Sequence, residues 1–71
     1  MKARDMAVVV RVRGRVYHAV LLPDLEVGGF TITVPELPGC ITEGDTISEA
    51  REMTREAIEG WLDASAKGEA P

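Results

Sequence analysis

The chain has 71 residues, 45% of them hydrophobic and 28% charged, a composition typical of one small globular domain and not of a disordered chain. Its single cysteine excludes an internal disulfide, and one cysteine with one histidine excludes the common zinc sites. Residues 1–15 carry five basic residues against one acid, whereas residues 16–71 carry eleven acids against three basic residues. This acidic body favours basic partners over nucleic acids.

The organisation of the chain is simple at this length. We expect a single domain over residues 1–71, with flexible tails at 1–7 and 65–71. The apolar run at 7–10 is too short for a signal peptide, and no segment approaches the length of a membrane span. We therefore expect a cytoplasmic protein without membrane association.

Two strands are predicted near the N-terminus, over 8–12 and 15–22, joined by a two-residue turn at Arg13-Gly14. The first has Val8, Val10 and Val12 on one face. The second is apolar on both faces, one with Val16, His18, Val20 and Leu22, the other with Tyr17, Ala19 and Leu21. If the second face is uncovered, Tyr17, Ala19 and Leu21 form an exposed stripe, so we take them as a candidate oligomer interface.

The middle of the chain predicts two further strands. Residues 30–34 alternate with Phe30, Ile32 and Val34 inward, and residues 40–43 form a short strand after a turn rich in proline. Gly28-Gly29 predicts a tight turn with positive φ, and we interpret Gly39 and Gly44 in the same way.

A helix follows these strands. Thr46 and Glu49 form a capping-box pattern, and the segment ends near Lys67-Gly68. Apolar residues recur at helical spacing, namely Ala50, Met53, Ala57, Ile58, Trp61 and Leu62. Trp61 is either a core residue or an interface anchor. The predicted fold class is α+β: a small antiparallel sheet of three to four strands with one C-terminal helix packed on one face.

The residues argue against catalysis. Two-metal nucleases need converging carboxylates, yet residues 8–22 and 29–35 contain no acid. A Cys40–His18 nucleophile pair is conceivable, but a buried thiol and a hydrogen-bonded histidine explain both residues more simply. We expect no enzyme activity, no metal site and no cofactor.

Residues 15–62 resemble the HicB family of antitoxins. The resemblance is carried by Leu22-Pro23-Asp24, by the run from Gly28 to Cys40, by Thr42 to Thr46, and by Glu49-Ala50 and Glu56-Ala57-Ile58. It implies a partial ribonuclease-H-like fold. It also implies a small basic HicA-like toxin as partner, whose mRNA-cleaving histidine the antitoxin blocks. Fuller relatives add a C-terminal DNA-binding segment; this sequence ends soon after the helix, so DNA binding is not expected.

Two functional hypotheses remain. In the first, the chain masks a HicA-like toxin through acidic loops, with Asp24, Glu26, Glu36, Glu43 and Asp45 as candidate contacts. In the second, it is a solo domain that associates with itself and has no toxin partner. A homo-oligomer, a dimer or larger, is expected in both because so small a core gains from association.

Overall fold

The structure, a computed structural model, describes residues 6–66. They form β1 (Met6–Val12), β2 (Arg15–Pro23), β3 (Phe30–Thr33), β4 (Ile41–Gly44) and α1 (Ile47–Ala66). The sheet has the order β1-β2-β3-β4, and each neighbouring pair is antiparallel. The predicted α+β class is confirmed. Residues 6–7 and 65–66, which we expected in the tails, belong to β1 and α1. The rest of the predicted tails, residues 1–5 and 67–71, lies outside the described residues.

The turn between β1 and β2 fixes the register of the first hairpin. Arg13 and Gly14 both have positive φ, 53° and 77°, as a two-residue type I′ turn requires. The turn pairs Val12 with Arg15 and therefore Val10 with Tyr17. Residues paired directly across antiparallel strands share a face, so Tyr17 lies on the face that Val10 occupies.

This register overturns the predicted oligomer stripe. Tyr17, Ala19 and Leu21 are buried in the core, with Ala19 and Leu21 fully inaccessible. They lie on the sheet face that α1 covers and are therefore not available to a second copy. The face that β2 leaves open carries the other set, which comprises Val16, His18, Val20 and Leu22.

The helix packs across the sheet through the predicted face. Ala50 and Ile58 are fully buried, and Met53, Ala57, Trp61 and Leu62 are partly buried. Thr54 was not predicted in this set but is fully buried. Its hydroxyl tolerates burial because it donates a hydrogen bond to the Ala50 carbonyl (2.6 Å). Ile32 and Val34 of the predicted inward face of β3 are buried beneath the helix, as expected.

The start of α1 is fixed by a cap and by a glycine. The Glu49 amide donates to Thr46 Oγ1 (3.0 Å), while the Glu49 carboxylate accepts from the Asp45 amide (2.5 Å). Gly44 does not have positive φ, so our turn interpretation was wrong there. A Cβ at Gly44 would lie 2.7 Å from Ala50 Cα, so this position needs glycine to let the helix approach the strand.

The far end of α1 is tied to the loops. Trp61 Nε1 donates to the Pro38 carbonyl (2.8 Å), and the ring packs against the core. Arg13 Nη2 lies 2.8 Å from Asp63 Oδ1 in an exposed ion pair, which solvent screens strongly. No helix within residues 6–66 is long and apolar enough to cross a membrane.

Candidate partner-binding surfaces

The loop between β2 and β3 is exposed and is held together by internal hydrogen bonds. Asp24 Oδ1 accepts from the amides of Glu26 (2.9 Å) and Val27 (3.2 Å). Two backbone hydrogen bonds close the loop: the Gly28 amide donates to the Asp24 carbonyl (2.9 Å), and the Asp24 amide donates to the Gly29 carbonyl (3.0 Å). Both glycines have a φ of 81°, as predicted. Asp24 is therefore a loop-forming residue whose carboxylate is already engaged.

The tip of this loop presents two aliphatic side chains to solvent. Leu25 is 79% exposed and Val27 is 83% exposed. Large aliphatic groups held outward on a well-bonded loop are typical of contact surfaces, because the loop pays little further entropy on binding. Neither residue was among the predicted contacts, although two aliphatic residues between Asp24 and Gly28 were the available signal in the sequence.

The structure brings three of the five predicted acids together. Asp24, Glu43 and Asp45 line one shallow depression of about 130 Å³ where the β2–β3 loop meets the end of β4. Glu26 lies on the same loop and is exposed. These four acids form what we call the acidic end, and no basic side chain lines its depression.

Glu36 does not belong to the acidic end. It lies in the β3–β4 loop, where its carboxylate accepts from the His18 amide (3.1 and 3.2 Å) and lies 2.7 Å from His18 Nδ1. A carboxylate can only accept, so Nδ1 carries the proton. The hydrogen bond from the His18 ring, followed by the one from the His18 amide, lowers the pKa of Glu36. The Glu36 carboxylate thus accepts the hydrogen bond of a β2 amide that lies beyond the end of β3.

The uncovered face of the sheet is a second candidate surface. It carries aliphatic side chains that stand partly out in solvent, namely Val9, Val16, Leu22 and Ile41. Thr31, Thr33 and His18 lie between them. This open face, and not the buried side of β2, is where apolar contact with another molecule can occur.

Cys40 and His18, the two residues considered as a nucleophile and its base, lie in different surroundings. Cys40 is buried in the core cluster, and burial raises the pKa of its thiol, whereas His18 is exposed on the open face. The two side chains therefore lie on opposite sides of the sheet and cannot form a nucleophile–base pair. Among residues 6–66, no three acidic, cysteine or histidine side chains converge into a metal site.

Several known proteins are similar to this chain in sequence. A 14.9 kDa protein of Haemophilus phage HP1 is 46% identical over 39 residues, covering 49% of this chain and 29% of that protein. A UPF0150 protein of Thermoplasma acidophilum is 36% identical over 50 residues, covering 70% of this chain and 72% of the relative. Antitoxin HicB 1 of Photorhabdus laumondii is 39% identical over 41 residues, covering 58% and 26%. No solved structure matches.

The chain therefore spans less than a third of the phage protein and of the antitoxin, but most of the archaeal relative. The family model of the HicB-like antitoxins of bacterial toxin–antitoxin systems matches residues 17–71, which include most of β2, the loop after it, β3, β4 and α1. Everything that shapes the acidic end lies inside that match. On this evidence the chain belongs to the HicB-like antitoxin family.

Proposed function

We propose that the chain is a cytoplasmic antitoxin that binds a small basic HicA-like toxin and masks its mRNA-cleaving site, without catalysis of its own. The observation that carries the proposal is the acidic end, where Asp24, Glu43 and Asp45 surround one depression beside the exposed Leu25 and Val27. An RNA-cleaving toxin must hold phosphates with cationic groups, and an acidic surface is complementary to them.

The two components of this surface have separate roles in binding. The acids attract the toxin at long range and set its orientation, so association is expected to be fast at low salt and slower as salt rises. Leu25 and Val27 supply the apolar contact that slows dissociation. Tyr17 and Leu21 cannot provide this contact, because both side chains are buried in the core.

The test is inhibition of a HicA-like toxin that is co-expressed with this chain. Glu26→Lys with Glu43→Lys reverses two acids whose side chains do not hold the loop, and should slow association about tenfold or more at low salt. The matched control, Glu56→Lys with Glu59→Lys, makes the same charge change on the exposed side of α1 and should leave inhibition unchanged. Equal toxin lethality with and without the wild-type chain would refute the antitoxin function.

A separate variant tests whether the apolar tip of the β2–β3 loop contacts the toxin. Leu25→Ser with Val27→Ser should accelerate dissociation of the toxin while leaving thermal stability within about 0.5 kcal/mol, because both side chains are exposed surface positions. Dissociation rates are measured by surface plasmon resonance and stability by circular dichroism. Unchanged dissociation in this variant would remove the loop tip from the interface.

A second candidate function is self-association as a solo domain. The observation that favours it is the open face of the sheet, which α1 does not cover. On this face Val9 is 50% exposed and Ile41 is 62% exposed. Two such faces packed together would bury aliphatic surface that water now contacts. Sedimentation of the purified chain at micromolar concentration tests this: a 7.7 kDa species would contradict it.

A further inference from the structure

Strand β4 leaves a sheet edge unpaired in the part of the chain that the structure describes, since no strand lies beyond it. The Val34 amide donates to the Cys40 carbonyl (3.1 Å), so the backbone of residue 40 points toward β3. Backbone groups alternate in direction along an antiparallel strand. The N–H and C=O groups of Ile41 and Glu43 therefore point outward, and we call them the β4 edge.

A groove runs along this edge, between β4 and α1. It has a volume of about 570 Å³ and is lined by Thr42 and Gly44 from the strand and by Glu49 and Met53 from the helix. Met53 is partly buried and provides an apolar wall. An unpaired edge beside a helix that flanks a groove is the geometry by which proteins accept an extended segment as an additional strand.

The charges of the groove select the kind of segment it accepts. Its charged lining residues are Glu43, Asp45 and Glu49, and all three are acidic. A second copy of this chain paired through the same edge would bring two sets of these carboxylates together, which is unfavourable. A basic segment has the complementary charge.

We propose that the β4 edge binds an extended segment of the basic toxin by strand addition, a proposal that rests on the function proposed above. Side chains alternate between the two faces of an added strand. A lysine or arginine opposite Glu43 would pair with it on the open face, and the neighbouring aliphatic residues would lie over Met53. The edge thus selects a strand in which cationic and aliphatic residues alternate.

The direct test follows backbone amides by hydrogen exchange in the complex of the full chain with a HicA-like toxin. The Ile41 and Glu43 amides exchange freely in an unpaired edge and should be slowed at least tenfold in the complex. Exchange at these two amides that is identical in the free chain and in a complex that inhibits the toxin overturns the strand addition and leaves the antitoxin function standing. Absence of both binding and inhibition overturns the antitoxin function itself.

A pair of proline variants provides the second measurement. Ile41→Pro removes an outward N–H from the β4 edge without changing charge, and proline is tolerated where the N–H faces solvent. We expect an affinity loss of about tenfold. Ala7→Pro removes an outward N–H from the edge of β1 and should change affinity less than about twofold. Equal affinities for the two folded variants contradict the proposal, and the exchange experiment decides it if either variant fails to fold.

Discussion

Replacing Gly44 by alanine tests how closely α1 and β4 approach each other. The added Cβ would lie 2.7 Å from Ala50 Cα and 2.8 Å from Ala50 N, whereas carbon atoms in contact are usually about 3.5–4.0 Å apart. The added Cβ would therefore be roughly 1 Å too close to backbone atoms of the helix. Backbone atoms cannot rotate out of the way as the end of a side chain could. Overpacking of this kind costs about 1–3 kcal/mol.

That cost is large for this protein, because a domain of its size has only about 3–5 kcal/mol of net stability. We expect the Gly44→Ala variant to melt about 10 °C or more below the wild type in circular dichroism, and to unfold at lower urea concentration. Gly60→Ala is the matched control. No atom lies within 4 Å of its added Cβ, so the better helix propensity of alanine should stabilise the protein by up to about 1 kcal/mol. A Gly44→Ala variant as stable as the wild type would refute the close approach.

Three further predictions concern single side chains. The pKa of Glu36 is lowered in the folded state, so its contribution to stability is present above the unfolded value near 4.5 and is lost as pH falls through the folded value. Urea midpoints of wild type and Glu36→Gln should therefore converge on acidification, whereas a pH-independent gap would contradict the bond to His18. Trp61→Phe keeps the ring but removes the donor to Pro38, and should lower the free energy of unfolding by about 0.5–1.5 kcal/mol in circular dichroism melts. The Cys40 thiol, buried and with a raised pKa, should react with a thiol reagent only as fast as the protein unfolds, and rapid labelling of the native state would show that it is exposed.

Much of the fold could be predicted because most segments have one apolar face. Phe30, Ile32 and Val34 alternate with threonines, so only one side of β3 can face the core. Strand β2 has no such asymmetry, and its pattern alone cannot say which side is buried. The predicted two-residue turn at 13–14 already implied the register that resolves this: it pairs Val10 with Tyr17 and so places Tyr17 on the face of Val8, Val10 and Val12.

The candidate site was harder to predict because it depends on contacts that are distant in sequence. The five acids look alike in the sequence, but Glu36 binds His18, while Glu43 reaches the β2–β3 loop only through the pairing of β3 with β4. The role of Gly44 depends in the same way on the path of a helix that begins three residues later. Local patterns carry no information of this kind.

The carboxylate of Glu36 has a consequence for aggregation. Strand β2 extends beyond the end of β3, and its His18 amide would otherwise be an open donor to which another chain could pair. A charged side chain in that place blocks such pairing. On the edge of β1, Arg51 reaches the Val9 carbonyl (3.3 Å) and places a cation across the backbone. With these two edges obstructed, strand addition can occur at one side of the sheet only. Copies of this chain can stack into an open-ended fibre only if each copy offers two open edges, so obstruction of the β1 edge removes that route.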